Sequence, residues 1–264
     1  MLRLDETFHN PVKKLLKEKK KILGAWLQMA SPYAAEIFAK AGVDVLVIDM
    51  EHAPNDPLSM LEQLRAMGRF SSIPFARAPW NDLVTIKRML DVGLYGLLIP
   101  YVNTRDEAER AVQACKYPPE GMRGIAPSPR AGGFGMNSQN YLAHANDEIV
   151  VMTAVETGTA VKNLDEILQV EGLDGIFIGP MDLATSMGYF CNPSAPEVQE
   201  AIHTIEEMVF ASGKFLATVA GNFEAAKKLY DRGYSMVVAF ADGGTLGRVA
   251  REQVELFRTA YPER

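Results

Sequence analysis

The chain has 264 residues, 48% hydrophobic and 23% charged, with a net charge of −6, so it can bury a large core and sits at the upper end of one domain. The acidic balance, with no dense Lys/Arg face, argues against a polyanionic partner such as nucleic acid, and no apolar run approaches the ~20 residues of a membrane helix. Only Cys115 and Cys191 occur, without a CxxC pair or a secretory signal ahead of them, which predicts a reducing, cytoplasmic location.

In chain order, the first patterned segment is KKLLKEKKK at 13–21, read as a basic N-terminal helix with a solvated charged face. Short apolar, β-rich runs then alternate with amphipathic segments. Strands are predicted over 22–28, 43–49, 74–78, 96–101, 150–156, 175–179, 215–219 and 236–240. Helices are predicted between and after them over 33–41, 58–68, 83–90, 104–115, 158–170, 195–212, 222–232 and 243–261. The first three carry start signals at Ser31-Pro32, Asn55 to Pro57 and Asn81-Asp82. Glycines in AKAGVDVLVID, LDVGLYGLLIP and YDRGYSMVVAF supply left-handed caps before the next strand.

Eight βα units over about 250 residues predict a closed (β/α)8 TIM barrel rather than an open doubly wound sheet. The absence of GxGxxG after the first strand agrees. A single barrel domain over 1–264 is expected. One stretch breaks the rhythm: residues 116–147, rich in Pro, Gly and Ser, predicted as a long irregular loop lying over the active face.

Strands of a parallel barrel are buried on both sides, so charges at their ends point to the C-terminal face. In VLVIDMEHAPND, Asp49, Glu51 and His52 end the second strand; Arg77 ends the third, Glu156 the fifth, and Asp182 follows the sixth. Glu156 and Asp182 offer hard oxygen ligands suited to a divalent ion such as Mg2+ or Mn2+. GIFIGPMD can present backbone N–H groups to an anion, with LATSMG leading away as a loop. A lone buried guanidinium is very costly, so Arg77 must face a carboxylate of protein or substrate and is suited to a 2-oxo acid and its enolate. Of the four histidines only His52 lies at a strand end with acids beside it, which marks it as the candidate base. His9, His144 and His203 read as surface or packing residues.

Together, GAWLQMASPYAAEIFAKAGVDVLVIDMEHAPND, RAPWNDLVTIKRMLDVGLYGLLIPYV, YPPEGMRG, VETGTAVKNLDEIL and EGLDGIFIGPMDLATSMGY resemble the HpcH/HpaI aldolase family of class II pyruvate aldolases, over nearly the whole chain. The resemblance implies a pyruvate-type barrel and reversible cleavage of a 4-hydroxy-2-oxo acid to pyruvate and an aldehyde, with a divalent metal (Mg2+, Mn2+ or Co2+) in place of a Schiff-base lysine. By the family pattern Glu156 and Asp182 are metal ligands and His52 the base. Arg77 binds carboxylate and stabilises the enolate, Asp91 in MLDVG raises the basicity of His52, and the backbone at Gly179 and Met181, with Asp182, holds the pyruvate carboxylate. Asp49, Glu51 and Trp26 are supporting residues. The family also implies a homohexamer with the last helix exchanged between subunits; the stripe Leu246, Ala250, Val254, Phe257 and Tyr261 serves either that exchange or closure of its own barrel.

The chain departs from the pattern at Ala154, where the family has a substrate-binding glutamine two residues before the first ligand. Thr153 cannot replace it because successive strand residues face opposite ways. The ends of the last two strands also differ, placing Phe240 near the barrel rim, so an altered substrate preference is expected. Arg123 and Arg130 of the long loop are candidates either for a distal substrate carboxylate or for structural roles. Two other functions share these residues: an oxaloacetate decarboxylase working through the same enolate, and a non-catalytic metal- and oxo-acid-binding relative.

Overall fold

The computed structural model of the protein describes residues 7–263. Eight parallel strands, each hydrogen-bonded to the next and β1 to β8, close into the expected barrel. They are β1 (Ile22–Leu27), β2 (Val45–Asp49), β3 (Ile73–Arg77), β4 (Gly96–Ile99), β5 (Val150–Val155), β6 (Gly175–Ile178), β7 (Phe215–Val219) and β8 (Met236–Ala241). The surrounding helices are α2 (Pro32–Ala41), α3 (Pro57–Met67), α4 (Leu83–Val92), α5 (Arg105–Cys115), α6 (Ser138–Glu148), α7 (Gly158–Lys162), α8 (Leu164–Leu168), α9 (Pro180–Ser186), α10 (Pro196–Ser212), α11 (Phe223–Arg232) and α12 (Asp242–Ala260), preceded by α1 (Pro11–Lys17). The glycine stops hold: Gly42, Gly93 and Gly233 all take left-handed conformations at helix ends.

The period of two along each strand sorts side chains between two cores. Inward positions such as Trp26, Val45, Val47, Phe75, Met152, Ala154 and Phe177 fill the barrel, whereas Leu46, Ile48, Ala76, Val151 and Val155 pack outward against the helices. Continuing that register past the apolar residues puts Asp49, Arg77 and Glu156 inside the barrel mouth. Large and small residues interlock inside: a Cβ on Gly96 would lie 2.6 Å from the Phe75 ring.

Several local expectations need correction. The helix predicted over 158–170 is two helices, because Asn163 both ends α7 and begins α8, its side chain donating to the Asn103 carbonyl. The segment after Asp182 is not a loop: Asp182 sits in the first turn of α9, which Pro180 opens. The stretch 116–147 contains a 3-10 turn, Arg130–Gly132, and most of α6. It joins the end of α5 to the start of β5, so it runs along the N-terminal end of the barrel and not over the active face.

The basic helix α1 is shorter than predicted and is not merely solvated: Val12, Lys13 and Leu16 are buried, with Val12 and Leu16 continuing the barrel interior at its lower end. Phe240 turns outward onto Phe38 of α2, ring centroids 5.2 Å apart, because the β1–β8 register shifts at Gly24/Ala25. The last helix does not close its own barrel. Beyond its first turn α12 is exposed throughout, with Leu246, Val254, Phe257 and Tyr261 each open to solvent.

Candidate active site

At the mouth of the barrel the inward register brings Asp49 and Arg77 side by side, since they are partners across the β2–β3 ladder. Asp49 is fully buried and accepts two parallel bonds from Arg77, Nε at 3.0 Å and Nη2 at 2.8 Å. Gln28, just past β1 and two residues after Trp26, donates to the same carboxylate at 2.9 Å, and the amides of Glu51 and His52 reach its Oδ1 at 3.2 Å. Burial raises the Asp49 pKa, but the Arg77 bonds and charge, with Gln28 and the amide, outweigh it and hold the carboxyl below its ordinary value. Asp49 is therefore a permanent anion that fixes the arginine and begins the His52 turn. Trp26 supports Arg77 from below, its ring 4.6 Å from the guanidinium.

The rest of HAPND is shaped by local bonds. Asn55 donates to the Leu27 and Asp49 carbonyls and is held by Gln63, while Asp56 forms a capping box with Ser59 at the start of α3. This leaves Glu51 and His52 on the turn facing the mouth. Glu51 Oε2 lies 3.1 Å from Arg77 Nη1 and 3.6 Å from His52 Nε2, so one carboxylate touches both the arginine and the histidine. Burial raises the pKa of Glu51 against the pull of Arg77.

Glu156 follows β5 and is 3% exposed. Its Oε2 accepts the Tyr101 amide at 3.1 Å. Burial, with smaller contributions from Glu51 and Asp182, pushes its carboxyl up to about 7. Gly179 makes the room: a Cβ there would lie 2.7 Å from Glu156 Cγ and Oε1. The Gly179 amide itself donates to the Val155 carbonyl and Pro180 has none, so of the two backbone positions expected to hold an anion, Gly179 serves as a cradle for Glu156. Met181 and Asp182 contribute first-turn N–H groups ahead of the first intrahelical donor, Leu183.

Glu51 thus lies between Arg77 and His52, while Glu51 and Asp182 both act on the buried Glu156. The described residues hold no group of three His, Cys, Asp or Glu arranged to bind a metal by themselves. Glu156 and Asp182 nonetheless fit a divalent cation: they are hard oxygen donors, and a cation beside Glu156 would favour the ionised form that burial, and to a lesser extent the neighbouring carboxylates, disfavours.

Ala154 faces inward in the same core as Trp26 and Phe177, one register step below Glu156, and Thr153 faces the helix layer as expected. Asp91 is not at the site within one chain. It lies in the last turn of α4, which runs down from the mouth, and pairs with Arg123 Nη2 at 2.7 Å. Arg123 is fully buried between the Tyr117 and Tyr141 rings, and Arg130 donates to the Val92 carbonyl, so both arginines of the long stretch are structural in this chain.

Two residues at the mouth lie outside the set expected from the sequence. Gln28 was findable, being a polar residue at a strand end like Asp49. Tyr101 was not, because its place depends on a left-handed backbone just past β4, φ 52°.

Known proteins give the arrangement its context. The profile of the HpcH/HpaI aldolase/citrate lyase family matches residues 23–248. A 4-hydroxy-2-oxo-heptane-1,7-dioate aldolase of Escherichia coli is 43% identical over 241 residues, 91% of this chain and 92% of its own. A 5-keto-4-deoxy-D-glucarate aldolase of Escherichia coli is 39% identical over 254 residues, 96% and 99% of the two chains. Among solved structures, a family protein from Burkholderia cenocepacia J2315 superposes with a TM-score of 0.91 at 35% identity, covering 94% of this chain and 99% of that one.

Proposed function

Because this chain belongs to the HpcH/HpaI aldolase/citrate lyase family, we propose that it is a metal-dependent aldolase cleaving a 4-hydroxy-2-oxo acid to pyruvate and an aldehyde, and running the reverse condensation. The observation that carries this reading is the convergence, at one barrel mouth, of a clamped arginine with three carboxylates and a histidine. A divalent cation held by Glu156 and Asp182 would supply Lewis-acid polarisation of the 2-oxo group.

The chain's own residues do the rest. The two bonds to Asp49 and the contact with Glu51 engage three of the five N–H donors of Arg77. Two remain for the substrate carboxylate or the enolate oxygen, and they are preorganised because Asp49, Glu51 and Trp26 fix the guanidinium plane. His52, beside the Glu51 carboxylate, takes the proton of the C4 hydroxyl. The C3–C4 electron pair then passes into the pyruvate enolate as the C4–O bond becomes the aldehyde carbonyl, and Arg77 balances the charge that develops. Glu51 takes within this chain the supporting place that the family pattern gives to Asp91. The first-turn amides of Met181 and Asp182 hold the pyruvate carboxylate.

The exposed apolar stripe of α12 supports a homo-oligomer, a hexamer by the family pattern, in which this helix packs on a neighbouring barrel. Two unpaired cysteines and the lack of any described helix long and apolar enough to cross a membrane support a cytoplasmic location.

The test is pyruvate release by Mn2+- or Mg2+-loaded protein from 4-hydroxy-2-oxo acids and from oxaloacetate, compared by kcat/KM. The aldolase reading expects the hydroxy acids to be preferred and His52→Ala to lower turnover by roughly 10²–10⁴-fold. A preference for oxaloacetate would make the protein a decarboxylase. Thermal stabilisation by pyruvate without turnover would make it a binding protein.

A further inference from the structure

Tyr101 stands just past β4 in a left-handed conformation, φ 52°, which a residue with a Cβ keeps only where its surroundings over-determine it. Both sides of its backbone are held. Its amide donates to Glu156 Oε2 at 3.1 Å, and its carbonyl accepts from Asn103 Nδ2 at 3.0 Å. The ring lies against Trp80, centroids 5.9 Å apart and planes tilted by 30°. Both aromatics are part of the open mouth, Tyr101 37% and Trp80 57% exposed. Burial raises the phenol pKa, with smaller contributions from the charges of Asp182, Glu156 and Glu51, so the ring that the backbone holds beside Glu156 lies within electrostatic reach of these carboxylates. An exposed tyrosine is thus fixed at the proposed metal site by its backbone, while its side chain stays open to solvent.

We infer that Tyr101 is a specificity-determining residue for the aldehyde half of the substrate: its phenol O–H donates a hydrogen bond to the oxygen on C4, and Trp80 forms the wall along which the carbon chain beyond C4 lies. This rests on the aldolase reading. In that reaction Arg77 and the two ligand carboxylates serve the pyruvate half, and the C4 oxygen is the other atom on which charge develops. In cleavage the C4 hydroxyl loses its proton to the base, the C3–C4 pair moves to the enolate, and the C4–O bond becomes C=O. In condensation the aldehyde oxygen gains that charge before it is protonated. A fixed O–H donor at this oxygen stabilises the charged species more than the neutral ones and leaves the proton count unchanged. A tyrosine is suited to this because its hydroxyl is a donor carried on a rigid ring.

Exchange of the pyruvate methyl protons with solvent deuterium separates the two halves, since it needs the enolate but no C4 oxygen. With Mn2+-loaded protein, Tyr101→Phe is expected to exchange pyruvate within about twofold of the parent, while kcat/KM for cleavage of a 4-hydroxy-2-oxo acid falls roughly 10- to 100-fold, mostly in kcat. Trp80→Ala is expected to raise KM for long aldehydes over glycolaldehyde in condensation, again with exchange intact. Unchanged cleavage by Tyr101→Phe would overturn the inference. So would an equal fall in exchange and cleavage, which would make Tyr101 a support for Glu156 alone. A parent protein inactive in both assays would overturn the aldolase reading itself, and this inference with it.

Discussion

The two ends of the barrel hold buried charge in opposite ways. At the N-terminal end two buried cations each meet an anion. Lys13 lies 3.0 Å from Asp174 and donates to the Ile149 carbonyl, and Arg123 pairs with Asp91 while donating to the Tyr141 hydroxyl between two aromatic faces. At the C-terminal end Asp49 and Arg77 are matched, but Glu51, which also meets Arg77, and Asp182 both act on the buried Glu156, which has no ion pair among the described residues. Matched charge locks loops and a helix in place. Burial without a matching cation, helped by neighbouring carboxylates, raises the Glu156 carboxyl to about 7 and suits it to a cation or substrate. Burial of charge alone does not identify a site; a buried charge left without a matching partner does.

The largest contrast should come from arginines of similar burial at opposite ends. Arg77→Lys keeps the charge but loses the planar fork, and should lower kcat/KM for pyruvate release by roughly 10²–10³-fold with little change in melting temperature.

Glu156 gives the next effect. Its folded carboxyl titrates at about 7 against an ordinary 4.5, so between those values the folded state binds more protons than the unfolded one. Stability of the metal-free protein is therefore full below about 4.5 and falls as pH rises through about 7, by about 3 kcal/mol if this group acts alone. Chemical denaturation from pH 4.5 to 8 should show the decline; Glu156→Gln should flatten it, and Mn2+ should oppose it by favouring the ionised form.

Arg123→Met should leave kcat/KM per folded molecule within about threefold but destabilise the chain by about 3 kcal/mol, because it strands Asp91 and removes a core cation from between two rings. Calorimetry and activity on the same samples separate the outcomes, and a specific loss of turnover would return Arg123 to the site.

The smallest effect is expected at Ala154. Ala154→Gln should restore a neutral hydrogen bond to the pyruvate half, worth about 1 kcal/mol, and lower the pyruvate KM in condensation by up to about tenfold. Unchanged pyruvate affinity and aldehyde range would remove Ala154 as a source of altered preference.

Much of the barrel was legible because its signals are local. Apolar runs mark the strands, glycine stops precede β2, β4 and β8, and Ser31, Asp56 and Asp82 cap helices through bonds to amides three or fewer residues away. The inward set at the mouth was legible for the same reason, since period two carries Asp49, Arg77 and Glu156 to one side. The sequence is least legible where distant partners decide. α6 has a weak pattern and is held in part by contacts of Tyr141 with Phe8 and Arg123. Lys13 looks like any surface lysine until Asp174 is placed beside it. Asp91 and Arg123 are separated by 32 residues and only the packed helix ring joins them.

By itself the sequence determined the eightfold βα order and the chemical types gathered at the strand ends, because hydrophobic period, caps and turns act over a few residues. The tertiary structure alone decided which charges balance one another, that Asp91 and the two loop arginines belong to the far end, that α12 leaves its own barrel, and that the Tyr101 amide meets Glu156. Those depend on barrel closure, which sets side by side groups that chain order keeps far apart.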